Sequence, residues 1–409
     1  MKEFIRKYLL LIIVVLNILY ITYLNIFAAY NVLYYNRQAY FIIGELIFNL
    51  IISIILFIRS KNKCSIINLL LLLITNFALI STIYAFIPTI ALLGMPYRLE
   101  GLYAILNYLS IFYISSYLSK TNKRRIVNVI IALGLFQAVY GYLQLLKLSN
   151  IVIMPDSYHK IFGTLGNPNF FASYILLSLL FSIGLYIEDK DIYNKILYFI
   201  ISIILVSVLI FSNCMSCMVG LAVSLLLLLP YTIIKKNILP YIILIVVSVL
   251  LLFVYAKFNN TRLLRDIYKT GNEVKEISTG NYDSNYGTHR LGVWRKTMDI
   301  VPNKIIHGVG IDNFFYAFNG KPLVNGGYMF DKAHNEYLQI LVTEGIFSLI
   351  SYISLFIYII IKGLKKSFNN KIYYLLPLIG YLVQAFFSFS VIEVAPIFYL
   401  SLGLLFDNK

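Results

Sequence analysis

The sequence predicts an all-α fold, a polytopic membrane helix bundle of about 12 transmembrane helices with one large outer-face insertion. Three observations predict it. Hydrophobic residues fill 60% of 409 positions and charged residues 13%, against roughly 25% charged in ordinary soluble domains. Apolar runs of near-spanning length recur along the chain, and Lys and Arg gather between them. The net charge of +16 is therefore read as topological; nucleic-acid binders concentrate basic residues in a patch on a soluble fold, so no nucleic-acid partner is expected.

The first run, Tyr8 to Ala29, follows MKEFIRK without a small-residue cleavage site and is read as a retained helix, not a signal peptide. Tyr40 to Ile58, Ile66 to Ile87, Leu102 to Leu118 and Ile126 to Leu146 follow. Phe170 to Ile187, Ile196 to Phe211, Cys214 to Ile234 and Ile238 to Ala256 come next. Beyond a long polar segment lie Tyr337 to Ile361, Ile372 to Phe389 and Val394 to Phe406, twelve runs in all. The division at Ser212 and Asn213 and the short last run leave eleven spans, or a re-entrant segment, as alternatives.

Positive residues in short loops favour the cytoplasmic side. With the N-terminus inside, cytoplasmic segments hold 19 Lys and Arg, and the short outer loops hold four: Arg37, Arg98, Lys147 and Lys160. The other 11 lie between Lys257 and Lys332, a segment too long to obey the rule. Both termini are thus expected in the cytoplasm of a multi-pass plasma-membrane protein, with the long segment outside. One membrane domain results: helices one to nine (1–256), an extracytoplasmic loop with amphipathic helices (257–333) and helices ten to twelve (334–409). Within the loop, Leu291, Trp294, Met298 and Val301 recur at helical spacing, with Arg290, Arg295, Lys296 and Asp299 on other faces, predicting an interfacial helix ended by Pro302. Asn259 to Thr261 has the form of a glycosylation acceptor, a three-residue pattern that arises readily by chance. Cys64, Cys214 and Cys217 make no disulfide framework, and the last two read as helix-end packing residues.

Polar residues are costly in a membrane and tend to mark function, so the clusters at the outer ends of the runs draw the candidates. GMPYRLEG carries Arg98 and Glu100, otherwise a solvated turn with an ion pair. GTLGNPNF carries Asn167 and Asn169; Asn169 is the expected N-cap, and glycines ahead of a helix also suit an anion. HRLGVWR carries Arg290 and Trp294, which are equally at home as interfacial anchors. AHNEYLQILVTEG opens with His334, and Asn335, Gln339 and Thr343 form a polar stripe along one helix face, suited to lining a cavity or a polar contact. Arginines in such a cavity could hold a pyrophosphate, and a histidine could take a hydroxyl proton. No carboxylate pair, metal-ligand cluster or nucleophile motif competes. The residues alone leave enzyme and transporter equally open.

An ordered set of blocks resembles the O-antigen ligase and polymerase superfamily, whose members join lipid-linked glycans outside the cytoplasmic membrane. GMPYRLEG resembles its G-x-x-x-R-x-x-G loop. YGYLQ (Tyr140 to Gln144) and GTLGNPNFFASY resemble the next blocks, and HRLGVWRKTMDIVPNKIIHGVGIDNF is similar to the R-x-x-x-W helix with its following glycine block, with a longer Pro302-to-Gly308 spacing. AHNEYLQILVTEGIFSLI is similar to the most diagnostic segment, H-N-x-x-L-x-x-x-x-E-x-G. The resemblance implies an inverting, metal- and cofactor-independent glycosyltransferase that polymerises or ligates an undecaprenyl-pyrophosphate-linked glycan donor onto a glycan or lipid acceptor, in contact with membrane lipid. It implies His334 as general base and Arg290 at the pyrophosphate, with Arg98, Glu100, Asn167, Asn169, Trp294, Asn335 and Gln339 shaping the donor and acceptor pocket. One departure stands out: Cys217 occupies the place of an arginine found in many members. A transporter or flippase of the same lipid-linked glycans is the alternative, against which stands the lack of visible repeated halves.

Overall fold

Backbone groups in a bilayer must bond to one another, and helices do so within one segment. The apolar runs accordingly form helices in the computed structural model, which describes residues 8–18, 35–60, 64–96, 98–148, 161–258, 262–318, 322–367 and 372–406. In order these are α1 (Tyr8–Ile18), α2 (Tyr35–Arg59), α3 (Ile66–Ile83), α4 (Pro88–Leu93), α5 (Leu102–Ser116), α6 (Lys120–Leu145), α7 (Pro168–Glu188), α8 (Ile192–Ser212), α9 (Met215–Ile234) and α10 (Ile238–Phe258). There follow α11 (Arg262–Ser278), α12 (Arg290–Lys304), a two-stranded antiparallel hairpin of β1 (Leu323–Asn325) and β2 (Tyr328–Phe330), then α13 (Glu336–Glu344), α14 (Ile346–Ser367), α15 (Ile372–Ala385) and α16 (Ala395–Leu405).

The protein is all-helical apart from that hairpin. Seven helices, α3, α6, α7, α8, α9, α10 and α14, are long and apolar enough to cross a membrane, and α1, α5, α15 and α16 are shorter apolar helices among the described residues. Several boundaries differ from expectation, two of them at the elements that carry the site. The run Tyr337 to Ile361 is not one helix: it breaks at Gly345, whose φ of +91° ends α13 and starts α14. The helix expected to stop at Pro302 continues to Lys304 with Pro302 inside it. The Asn259 to Thr261 pattern and Lys160 lie outside the described residues.

α7 is the axis of the bundle, with its whole apolar window buried. Small residues let its neighbours approach, as helices in lipid require. Ser178 Oγ donates to the Ile130 carbonyl of α6 at 3.2 Å and Ser182 Oγ to the Tyr198 carbonyl of α8 at 2.9 Å. At Gly184 a Cβ would stand 2.4 Å from the Tyr373 Cα, so α15 crosses there in near backbone contact. At one end of the bundle the Lys123 ammonium caps α16, donating to the Gly403 and Leu404 carbonyls at 2.9 and 3.1 Å. At the other end the starts of α5, α7, α9, α12, α13 and α16 gather, and there the polar clusters meet.

Candidate functional site

The segment Asp331 to Asn335 is fastened at every residue. Asp331 accepts from Arg98 Nε at 2.8 Å. The Lys332 ammonium, buried, pairs with Glu100 at 2.9 Å and Asp312 at 2.6 Å. Asp312 also accepts the Met95 N–H at 2.6 Å, tying the loop before α5 to the turn after α12. The Ala333 N–H donates to Gln339 Oε1 at 2.7 Å, and its carbonyl accepts from Trp294 Nε1 at 2.9 Å. Asn335 caps α13, accepting the Leu338 N–H at 3.0 Å. With both neighbours held, His334 takes φ +52°, a left-handed conformation that is uncommon outside glycine and is kept only where the surroundings over-determine it. Its ring meets Phe389 and Phe330 edge-on at 5.0 and 5.6 Å.

Arg290 is the first residue of α12. The preceding turn is itself left-handed at Thr288 and His289. Asn325 of β1 holds it, donating to the Ser284 and His289 carbonyls at 2.9 and 3.1 Å; Gly292 admits this amide, because a Cβ there would lie 2.3 Å from its nitrogen. No carboxylate pairs with the Arg290 guanidinium among the described residues. It interacts electrostatically with His334 and with the buried thiols Cys214 and Cys217 at the head of α9. Those sulfurs are 3.3 Å apart as free thiols, and Cys217 also lies 3.8 Å from Ser173 Oγ of α7. The position where many superfamily members carry an arginine is thus a packed thiol beside Arg290.

Arg98 lies over Phe389 at 5.0 Å and Phe170 at 5.9 Å, within cation–π range. Phe170 follows the GNPN turn. Asn167, not Asn169, caps α7, its side chain accepting the Asn169 N–H at 2.8 Å; Pro168 takes the first helical position, where its missing N–H costs nothing. The GTLG turn hangs from α6: Gln144 bonds both the N–H and the carbonyl of Gly163 at 3.0 Å, and Gln137 bonds Thr164 through side chain and backbone at 2.7 and 3.1 Å.

Electrostatics divide these groups. Burial and then the charge of Arg290 hold the His334 imidazole down at about 4, against an upward pull from Asp331, so it is neutral near pH 7. Burial also lowers Arg290, opposed only by the two cysteines. Burial pushes Glu100 up to about 8; Lys332 pulls the other way, and the Asp312 charge reinforces burial. For Asp331, burial is outweighed by the Arg98 hydrogen bond and charge, which hold it below the usual carboxylate range.

Behind the His334 loop lies a cavity of about 70 Å³, lined by Glu100, Lys332, Gln339, Thr343, Glu344 and Phe389 among others. The stripe of α13 therefore divides its work, with Gln339 and Thr343 on the cavity and Asn335 in the cap. Among the described residues no group of three or more His, Cys, Asp or Glu could hold a metal ion.

The geometry brings His334, Arg290, Arg98, Trp294, Asn335, Gln339 and Glu100 into one connected cluster, reached by Asn167 and Asn169 through Phe170. Within it Glu100, Trp294, Asn335 and Gln339 spend their polar atoms on building the His334 loop. Sequence reasoning missed Asp331, Lys332, Asp312, Asn325 and Phe389. The run DKAHN did place two charges beside the histidine, which was a usable signal for the first two.

Residues 197–353 match the family model described as O-antigen ligase, and this supports the O-antigen ligase superfamily. The matched stretch contains Cys217, Arg290 and His334. No curated protein matches the chain.

Proposed function

With the O-antigen ligase match as premise, we propose that this chain is a membrane glycosyltransferase that polymerises or ligates undecaprenyl-pyrophosphate-linked glycans on the outer face of the cytoplasmic membrane. The observation that carries this reading is His334, held at φ +52° on a loop bonded through Ala333 and Trp294 at 2.9 Å to the helix that begins with Arg290. That guanidinium has no carboxylate partner among the described residues.

In this reaction the acceptor hydroxyl gives its proton to the neutral His334 imidazole as its oxygen forms a bond to the anomeric carbon. The bond from that carbon to the pyrophosphate oxygen breaks, and attack from the opposite face inverts the configuration. Arg290 receives the negative charge that develops on the leaving pyrophosphate, an interaction that strengthens in the transition state. Donor binding also tunes the base. A pyrophosphate on Arg290 neutralises a charge that depresses His334, so the imidazole becomes more basic once the donor is seated. Arg98 is held by Asp331 at 2.8 Å and borders the same space, where it orients the donor or acceptor. No metal takes part in this mechanism.

Reconstitution of the purified protein with a lipid-linked oligosaccharide, read on a gel, tests the proposal. A ladder of lengths identifies a polymerase and a single shifted acceptor band a ligase. No turnover with either acceptor overturns both.

A further inference from the structure

α11 is a 17-residue helix whose two sides meet different surroundings. At 100° per residue, Ile267, Val274 and Ile277 fall within an arc of about 80°. These three are 43%, 60% and 45% exposed. The acidic residues are hydrogen-bonded within the protein. Asp266 accepts from Asn213 Nδ2 in the α8–α9 turn at 3.2 Å, Glu276 accepts from Asn281 Nδ2 at 2.7 Å, and Glu273 accepts the Gly287 N–H at 3.0 Å. A soluble surface helix buries its apolar stripe, whereas α11 leaves its own exposed.

We propose that the Ile267–Val274–Ile277 face of α11 docks onto the lipid bilayer at the headgroup boundary. Two observations favour lipid as the occupant. α11 follows and contacts the end of α10, of whose apolar window only 6% is buried, so the bare face continues a lipid-facing surface. Exposed Lys269 and Lys275 lie about 80° outside the two edges of the apolar arc, one on each side, from where their long side chains reach lipid phosphates. The docking has a consequence for the site, which rests on the glycosyltransferase reading. Glu273 holds Gly287 in the turn that precedes Arg290, so a helix fixed at headgroup level also fixes the depth at which Arg290 meets a membrane-borne pyrophosphate.

The test uses full-length protein in phosphatidylcholine–phosphatidylglycerol vesicles carrying brominated acyl chains. Tryptophan is introduced as V274W on the apolar arc or N272W on the polar one, and the native Trp294 signal is subtracted from each. Brominated lipid is expected to quench the 274 probe at least about two-fold more than the 272 probe. Equal quenching of the two overturns the proposal. So does a 274 probe shielded equally in lipid and in detergent and untouched by bromine, the result for a face covered by a second copy. The I267D/V274D variant supplies a second readout. Since these side chains are exposed, its melting temperature in detergent is expected to match wild type, while vesicle turnover falls about ten-fold. Loss of folding in detergent overturns the docking. Normal quenching with unchanged turnover upholds the docking and removes only its link to Arg290.

Discussion

The indole N–H of Trp294 donates to the carbonyl of Ala333 at 2.9 Å, so the helix that begins with Arg290 is bonded to the residue immediately before His334. One hydrogen bond thereby sets the spacing between the proposed base and the proposed pyrophosphate ligand. Phe386 packs edge-on against the indole at 5.6 Å and keeps its position. Trp294→Phe preserves an aromatic ring and removes the donor. A stability loss of about 1 kcal/mol is expected, with kcat reduced about ten-fold or more, since small misplacements of reacting groups are costly. Thermal melting beside single-turnover kinetics separates the two effects; unchanged kcat would contradict this role.

His334→Ala removes the only histidine in the cluster. A loss of about a hundred- to ten-thousand-fold in turnover is expected, the range of a general base, with the protein still folded because the ring makes only aromatic edge contacts. In cells, lipid-linked donor should accumulate on the outer leaflet. Accumulation on the inner leaflet would favour a transporter.

The low pKa of His334 gives a pH dependence with a definite sign. Its folded value, about 4, lies below the ordinary histidine value of 6.5, so the unfolded chain takes up the proton first as pH falls. The neutral ring's contribution to stability is complete above pH 6.5 and is lost progressively down to about 4. Removing a neighbouring positive charge should raise the folded value. In Arg290→Gln the His334 midpoint is expected to move up toward 6.5, followed by NMR titration of isotope-labelled histidine. A midpoint that stays put would show that burial alone sets it.

Spanning segments were legible because the bilayer demands long apolar runs, and His334, Arg290 and Arg98 because polar residues at their ends are expensive. The supports of His334 were not, since they depend on pairing across the chain. Lys332 and Glu100 are 232 positions apart, and nothing local to either names the other. The break in the Tyr337 to Ile361 run was hidden for a related reason. A lone glycine in an apolar helix is tolerated, and what ends the helix is a carbonyl from another segment. Asn167 displaced Asn169 as the cap because Pro168 suits the first helical turn and fixes where α7 starts.

The Lys332 triad should respond unequally to removal of Lys332 and removal of Glu100. Lys332→Met leaves Asp312 charged and buried beside Glu100, and breaking a buried pair in this way costs about 3 to 5 kcal/mol. Glu100 is pushed up to about 8 and is largely protonated near neutrality, so Glu100→Gln is expected to be mild there. Its effect should grow above pH 8, where Glu100 ionises beside Lys332, and should reach lower pH where Asp312, whose charge raises Glu100, is also changed. Melting temperatures of the single and double variants at pH 6 and pH 9 measure this coupling; equal losses for K332M and E100Q would contradict it.

Gly345 offers the most direct test of the broken helix. At its φ of +91°, an added Cβ would lie 2.2 Å from the Ile306 carbonyl oxygen, far inside contact distance, and a side chain disfavours that backbone angle in any case. The facing glycine is equally constrained: a Cβ on Gly308 would stand 2.1 Å from the Thr343 carbonyl oxygen. The turn after α12 and the end of α13 therefore meet backbone to backbone, with the Val309 N–H donating to the Val342 carbonyl at 2.9 Å and the Gly310 N–H to the Thr343 carbonyl at 2.9 Å. Gly345→Ala must separate these segments or straighten α13 into α14. Either movement carries Gln339 away from Ala333 and releases His334 from its left-handed conformation. The expected result is a stability loss of about 2 kcal/mol or more together with loss of turnover, although the residue touches neither His334 nor Arg290. Full activity in a stably folded G345A protein would show that the break in the helix is not needed to present His334.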